Sequence, residues 1–133
     1  MLTKEYIKEV KRHGQFELEK LIKQNINNSG NIAFILENLG KIPLSFAYQW
    51  LIDLIDYDNE QVGFWVVKNL GKLKSDDVIT HLEYISKNDE STIVRREAVS
   101  SIGRLRNDRA QNILLNNLSD NDPKIVNQAI RGS

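Results

Sequence analysis

The feature that most constrains this chain is a short segment that occurs three times at a nearly constant interval. The three copies are Leu39-Gly40-Lys41-Ile42, Leu70-Gly71-Lys72-Leu73 and Ile102-Gly103-Arg104-Leu105. Their glycines are 31 and 32 residues apart. A fixed period of about 20 to 50 residues indicates a repeat protein, in which each unit buries its apolar face only by stacking on its neighbours.

The apolar residues around each glycine are in register in all three copies and have helical spacing. Three positions precede the glycine and two follow it: Ile35/Val66/Ala98, Leu36/Val67/Val99, Leu39/Leu70/Ile102, Ala47/Val78/Ala110 and Leu51/Leu82/Leu114. This pattern predicts two helices per unit, joined near the glycine. We expect each glycine to end the first helix in the left-handed conformation, which only glycine adopts without steric cost.

The pattern predicts first helices at about 31–39, 60–71 and 92–104, and second helices at about 44–56, 76–87 and 108–118, with ends uncertain by about 2 to 4 residues. A less regular pair, Thr3–His13 and Phe16–Asn27, precedes them, and a further helix begins at Asp122. The expected fold is therefore all-α: an α-solenoid of antiparallel helix pairs that form a right-handed superhelix of about nine helices.

We expect a single repeat domain over residues 1–133. It would contain an N-terminal capping pair at 1–30, repeats at 31–59, 60–90 and 91–121, and a truncated fourth repeat at 122–133. Because a repeat is covered only where both neighbours exist, the last repeat should have an open apolar face. Either the natural protein continues, or another chain covers that end, which includes possible end-to-end self-association.

The third unit and the residues after it resemble a known family. Val94-Arg95-Arg96-Glu97-Ala98-Val99-Ser100-Ser101-Ile102-Gly103-Arg104-Leu105, and then Asp122-Pro123-Lys124-Ile125-Val126, are similar to HEAT repeats of the short bacterial kind, called PBS-lyase HEAT-like repeats. The resemblance is good from about residue 90 to 131, moderate over 31–89 and poor over 1–30. It implies a curved α-solenoid that holds other macromolecules, and it implies no catalytic residue.

Composition excludes several kinds of chemistry. The chain has no cysteine and only two histidines, so disulfides, thiolate metal sites and most His-rich metal sites are excluded, and we expect no metal and no cofactor. The nucleotide-binding and hydrolase sequence motifs do not occur, and we expect no enzyme. With no apolar run long enough for a membrane span and no signal peptide, we expect a cytoplasmic protein that does not bind membranes.

Two surfaces are candidates for binding a macromolecule. The resemblance implies that the second helices line the concave face, where polar residues suit a protein or peptide partner: Gln49, Asp53, Thr80, Tyr84, Asn112 and Asn116. The alternative is a nucleic-acid-binding ridge of cations: Lys41, Lys72, Lys74, Arg95, Arg96, Arg104, Arg106 and Arg109. Those cations could instead stabilise helix ends or pair with neighbouring carboxylates.

Charge distribution favours the protein-binding alternative. The chain holds 18 cations and 18 acidic residues, so its net charge gives no general attraction to nucleic acid. Residues 25–92 hold five cations and ten acids, whereas 94–133 hold seven and four, so the basic alternative stays open for the last part of the chain. A third hypothesis is a DNA alkylation repair glycosylase, by resemblance at the level of fold class, with Trp50, Trp65 and Asp53 as the residues of interest.

Overall fold

The computed structural model describes residues 2–43, 45–73 and 75–116, with side chains described up to residue 108. This part of the chain contains α-helices and one 3-10 helix, and no strand. The helices are α1 (Lys4–Arg12), α2 (Gln15–Gln24), α3 (Ser29–Glu37), α4 (Gln49–Asp53), the 3-10 helix Leu54–Asp56, α5 (Glu60–Leu70), α6 (Asp76–Asn88) and α7 (Thr92–Asn116). The all-α class predicted from the sequence is confirmed.

The helices that open each repeat begin at a polar cap that follows the repeat period. Asn28, Asn59 and Ser91 each accept a hydrogen bond from the amide three residues later, at 3.0, 3.1 and 3.3 Å. Such a cap satisfies one of the amides that a helix start leaves without a partner. The caps start α3, α5 and α7 at equivalent places.

The repeat register identifies the core of the described residues. Ile35, Val66 and Ala98 are completely buried. The register position held by Leu39, Leu70 and Ile102 is at least nine-tenths buried in all three copies. Leu51 and Leu82 of the second helices are completely buried as well. One register position breaks the rule: Leu36 and Val67 are fully buried, but Val99 is 54% exposed.

The repeated glycine has three different roles. Gly40 has the expected left-handed conformation, with a φ of +64°, but α3 ends at Glu37, so Gly40 lies in the connection after the helix. Gly71 does not have a positive φ, so the expectation for it is wrong. It is needed for space instead, because a Cβ at residue 71 would lie 2.7 Å from Ser101 Oγ and 2.9 Å from Ser101 Cβ.

The expected break after Gly103 is also wrong. Helix α7 continues from Thr92 to Asn116, so the predicted helices at 92–104 and 108–118 form one helix as far as residue 116. Gly40 is followed by Pro43, and Gly71 by Ser75 and Asp76, whereas Gly103 is followed by Arg104, Leu105 and Arg106, which are good helix formers. A single glycine costs about 1 kcal/mol in a helix, which is too little to end it without a second signal.

The second helix of the first repeat is shorter than the predicted 44–56. Residues 45–48 are not helical, and α4 begins only at Gln49. Side chains hold this connection: the Ala47 amide donates to Gln15 Oε1 at 2.7 Å, and Trp50 Nε1 donates to the Ala47 carbonyl at 2.7 Å. Because the amide and the carbonyl of Ala47 bond to the side chains of Gln15 and Trp50, they are not free to join a helix, and α4 starts late.

The chain divides into two compact units, Met1–Asn69 and Leu70–Ser133. In the first, α1 and α2 pack against each other, and α3, α4 and most of α5 follow. In the second, α6 packs along α7. The expected fourth repeat at 122–133 lies outside the described residues.

Candidate functional site

The outer face of α6 presents polar groups and an aromatic ring. Thr80 and Tyr84 are four residues apart, which places them one above the other on a helix, and both are exposed. The opposite face of α6 is buried through Val78, Leu82 and Ile85. Tyr84 is 69% exposed, so a large ring with a hydroxyl is available to a partner.

The equivalent face of α4 is also polar and exposed. Gln49 Nε2 donates to Asp53 Oδ1 at 2.8 Å, and both residues are exposed. Trp50 and Leu51, between them, are buried and hold the helix in place. We name the α6 pair, Thr80 and Tyr84, the second-helix face. Gln49 and Asp53 belong to the other compact unit of the chain and form a separate pair.

The last two residues predicted for this surface are on α7 and not on a separate second helix. Asn112 and Asn116 lie in the continuous helix, and their side chains are outside the described residues. The structure therefore places four of the six predicted residues on the exposed faces of second helices.

Three arginines of the alternative basic set are bonded within the protein. Arg104 Nη2 lies 3.1 Å from Glu97 Oε1 and 2.9 Å from Ser101 Oγ. Arg106 Nη2 lies 2.6 Å from Glu83 Oε1 on α6.

The third of these arginines bonds at the start of α7. Arg95 donates from Nη1 to the Asp89 carbonyl at 2.5 Å and from Nη2 to Thr92 Oγ1 at 3.0 Å. Each of the three guanidinium groups therefore has at least one bonding partner within the protein.

Lys41, Lys72 and Arg96 are exposed, Lys74 is not described, and the side chain of Arg109 lies outside the described residues. The carbonyl groups at the Gly40 turn are bonded by a residue that was not predicted: Lys11 Nζ donates to the Leu39 carbonyl at 2.8 Å and to the Lys41 carbonyl at 2.9 Å.

Each of the three residues of the glycosylase hypothesis contacts a different partner. Trp50 is buried and bonded to Ala47, and Asp53 is bonded to Gln49. Trp65 packs edge-to-face on Phe64, with ring centroids 5.2 Å apart, and Lys68 Nζ lies over both rings. The contacts in the described structure do not join these residues into one cleft.

A second repeated position, two residues before each glycine, was missed in the sequence. It holds Asn38, Asn69 and Ser101, and the last two are completely buried. Asn69 Nδ2 donates to the Trp65 carbonyl of its own helix and to the Leu36 carbonyl of α3, at 2.8 and 2.9 Å. The signal was visible, since three polar residues recur at the repeat period within an apolar stretch.

Two features are absent from the described residues. No group of three or more His, Asp or Glu side chains there could hold a metal ion. No helix in that part of the chain is both long and apolar enough to cross a bilayer.

Comparison with known proteins supports the repeat assignment. The PBS lyase HEAT-like repeat family model matches residues 94–120, and this match supports the resemblance to HEAT repeats inferred from the sequence. HEAT-like repeats generally serve as protein-interaction scaffolds and are typically not enzymes. Neither the curated proteins nor the solved structures gave a match to this chain.

Proposed function

We propose that this protein is a binding scaffold that holds a protein or peptide through the second-helix face. The observation that carries the proposal is the exposed Tyr84, which stands one helical turn from exposed Thr80 on a helix whose opposite side is buried. An exposed tyrosine offers a large contact area and a hydrogen bond at low entropic cost, which is why tyrosine is enriched in protein interfaces.

Charge supports a protein partner over nucleic acid at this surface. Helix α6 carries Asp76 and Asp77 against Lys87, and its Glu83 is paired with Arg106. A surface of this sign repels phosphate, and nucleic-acid affinity depends on cations that replace counterions.

The test is site-specific photo-crosslinking in the cells that make the protein. A benzophenone amino acid at position 84 should give a discrete protein adduct, and Thr80→Arg in the same chain should abolish it. The matched control places the same probe at Phe16, which is 77% exposed on α2, outside the second-helix face. The same adducts from position 16, or adducts that contain nucleic acid, would contradict the proposal.

A further inference from the structure

The repeats provide an internal comparison for the place where a second helix begins. In the second repeat, α5 ends at Leu70 and α6 follows as a separate helix whose N-cap is Ser75. The residue 32 positions later, at the same register position in α7, is Asn107. Asparagine is among the most favourable N-cap residues. The third repeat therefore keeps the start signal of a second helix, although α7 runs through it as far as Asn116.

The Asn107 side chain is not satisfied in this straight helix. Its Oδ1 atom is buried and has no hydrogen-bond donor within the described part of the chain. Nearly all buried polar atoms in proteins are paired, because an unpaired one has lost its water without replacement. If Asn107 capped a helix, the same oxygen would accept the backbone amide of residue 109 or 110. The atom that the straight helix leaves unpaired is thus the atom that a helix start would use.

Two neighbouring residues favour a break at the same place. Gly103 lies one turn before Asn107 in the interior of α7, and glycine is the poorest helix former after proline. Asp108 would be the first residue of the new helix, as Asp76 is in α6, and the helix dipole stabilises an acidic residue there. The residues at 104–106 are good helix formers and favour the straight helix instead. Opposing preferences within one short segment allow a helix two accessible forms.

We propose that α7 has two forms in solution: the straight helix, and a broken form in which a first helix ends near Gly103 and a second begins after Asn107. In the broken form, positions 112 and 116, the register equivalents of Thr80 and Tyr84, belong to a second helix. They would then extend the second-helix face into the third repeat. This extension rests on the proposed function, whereas the two forms do not. A partner that contacts the extended face would shift α7 toward the broken form.

The first test measures the length of α7 in the full chain by double electron–electron resonance. The sequence has no cysteine, so Ile93→Cys and Asn116→Cys together introduce one pair of spin labels. Position 116 is 23 residues after position 93, which corresponds to about 35 Å in a straight helix. In the broken form the two helices are antiparallel neighbours, with axes about 8 to 10 Å apart, so the labels should lie within about 20 Å. Both distances should be present, and a single distance, long or short, would overturn the proposal.

The second test shifts the ratio of the short to the long distance by substitution. Asn107→Ala removes the cap and the unpaired oxygen and should lower the ratio by about fivefold or more. The matched control, Asn107→Asp, keeps a capping oxygen and should not lower it. Gly103→Ala raises the helix propensity and should lower the ratio about fivefold by a separate route.

Two results of the second test would overturn the proposal. One is a ratio that all three variants leave unchanged, and the other is an equal decrease in Asn107→Ala and Asn107→Asp. Because Gly103 is buried, a thermal unfolding curve like that of the parent chain establishes that Gly103→Ala is folded. The comparison of the two Asn107 variants does not depend on Gly103→Ala.

The extension of the second-helix face is tested with the benzophenone probe at position 84. The adduct yield should fall in Asn107→Ala and stay at the parent level in Asn107→Asp. If Asn107→Ala shifts the distances but leaves the adduct unchanged, the extension is wrong and the two forms of α7 stand. If position 84 gives no adduct in the parent chain, the proposed function is wrong, and the distances still decide whether α7 has two forms.

Discussion

Substitution of Gly71 tests whether a close approach, and not a backbone conformation, requires glycine there. Gly71→Ala would place a Cβ 2.7 Å from Ser101 Oγ and 2.9 Å from Ser101 Cβ, and Ser101 is completely buried. Overpacking of this kind costs about 1 to 3 kcal/mol. Replacing glycine by alanine also lowers the conformational entropy of the unfolded chain, which offsets about 0.4 to 1 kcal/mol of this cost. The expected net loss of stability is therefore between about 0 and about 2.6 kcal/mol.

The assay is urea unfolding followed by circular dichroism, with a second substitution that relieves the contact. Ser101→Gly removes both contacting atoms, so the double variant should show a favourable coupling energy of about 1 kcal/mol relative to the two single variants. Ser101→Ala removes only Oγ and should recover less.

Gly40 provides the matched control, because it requires glycine for a different reason. At a φ of +64°, Gly40→Ala should cost about 1 to 2 kcal/mol, and Gly40→Asn should cost less, since asparagine tolerates the left-handed region. At residue 71 the order should reverse, because asparagine is larger. If alanine and asparagine rank the same way at both glycines, the packing explanation for Gly71 is wrong.

Four further substitutions test the contacts that hold the helices, each by urea unfolding. Lys11→Met removes both bonds to the carbonyls beside Gly40 and should cost about 1 to 3 kcal/mol, whereas no change would show that water replaces the ammonium group. Asn69→Leu should destabilise by about 1 to 3 kcal/mol and Asn38→Leu by less, because the Asn38 amide donates only to its own helix; equal losses would contradict this difference. Leu70→Ala should cost about 2 to 5 kcal/mol, and a loss below about 0.5 kcal/mol would place the repeat register in doubt.

The repeat period predicted more of the core than of the helix boundaries. Burial at Val66, Leu70 and Leu82 followed from register, because stacking requires the same side of each helix to be apolar. The continuity of α7 did not follow from the repeat period. The sequence interpretation placed a helix end at the glycine of all three copies, although the residues after that glycine differ. Whether a helix ends at such a glycine depends on the helix propensity of the residues that follow it, and not on the glycine alone.

The candidate site was predictable only in part, for a physical reason. Helical spacing placed Thr80 and Tyr84 on one exposed face without knowledge of the tertiary structure. The bonds of Arg106 to Glu83, and of Lys11 to the Gly40 turn, join residues 23 to 30 positions apart. Contacts at such a separation depend on how helices pack, which a pattern within one helix does not contain.

The most direct measurement is a salt titration of nucleic-acid binding, because it decides whether the protein is a protein-binding scaffold or a nucleic-acid module. We predict no binding to duplex or single-stranded DNA at low salt with a dissociation constant below about 10⁻⁶ M. The contrary result is tighter binding that weakens with salt at a slope of about −0.9 per contacted phosphate for duplex, together with a shallower slope in Arg104→Ala or Arg106→Ala. That result would assign the arginines to phosphate and contradict the protein-binding scaffold.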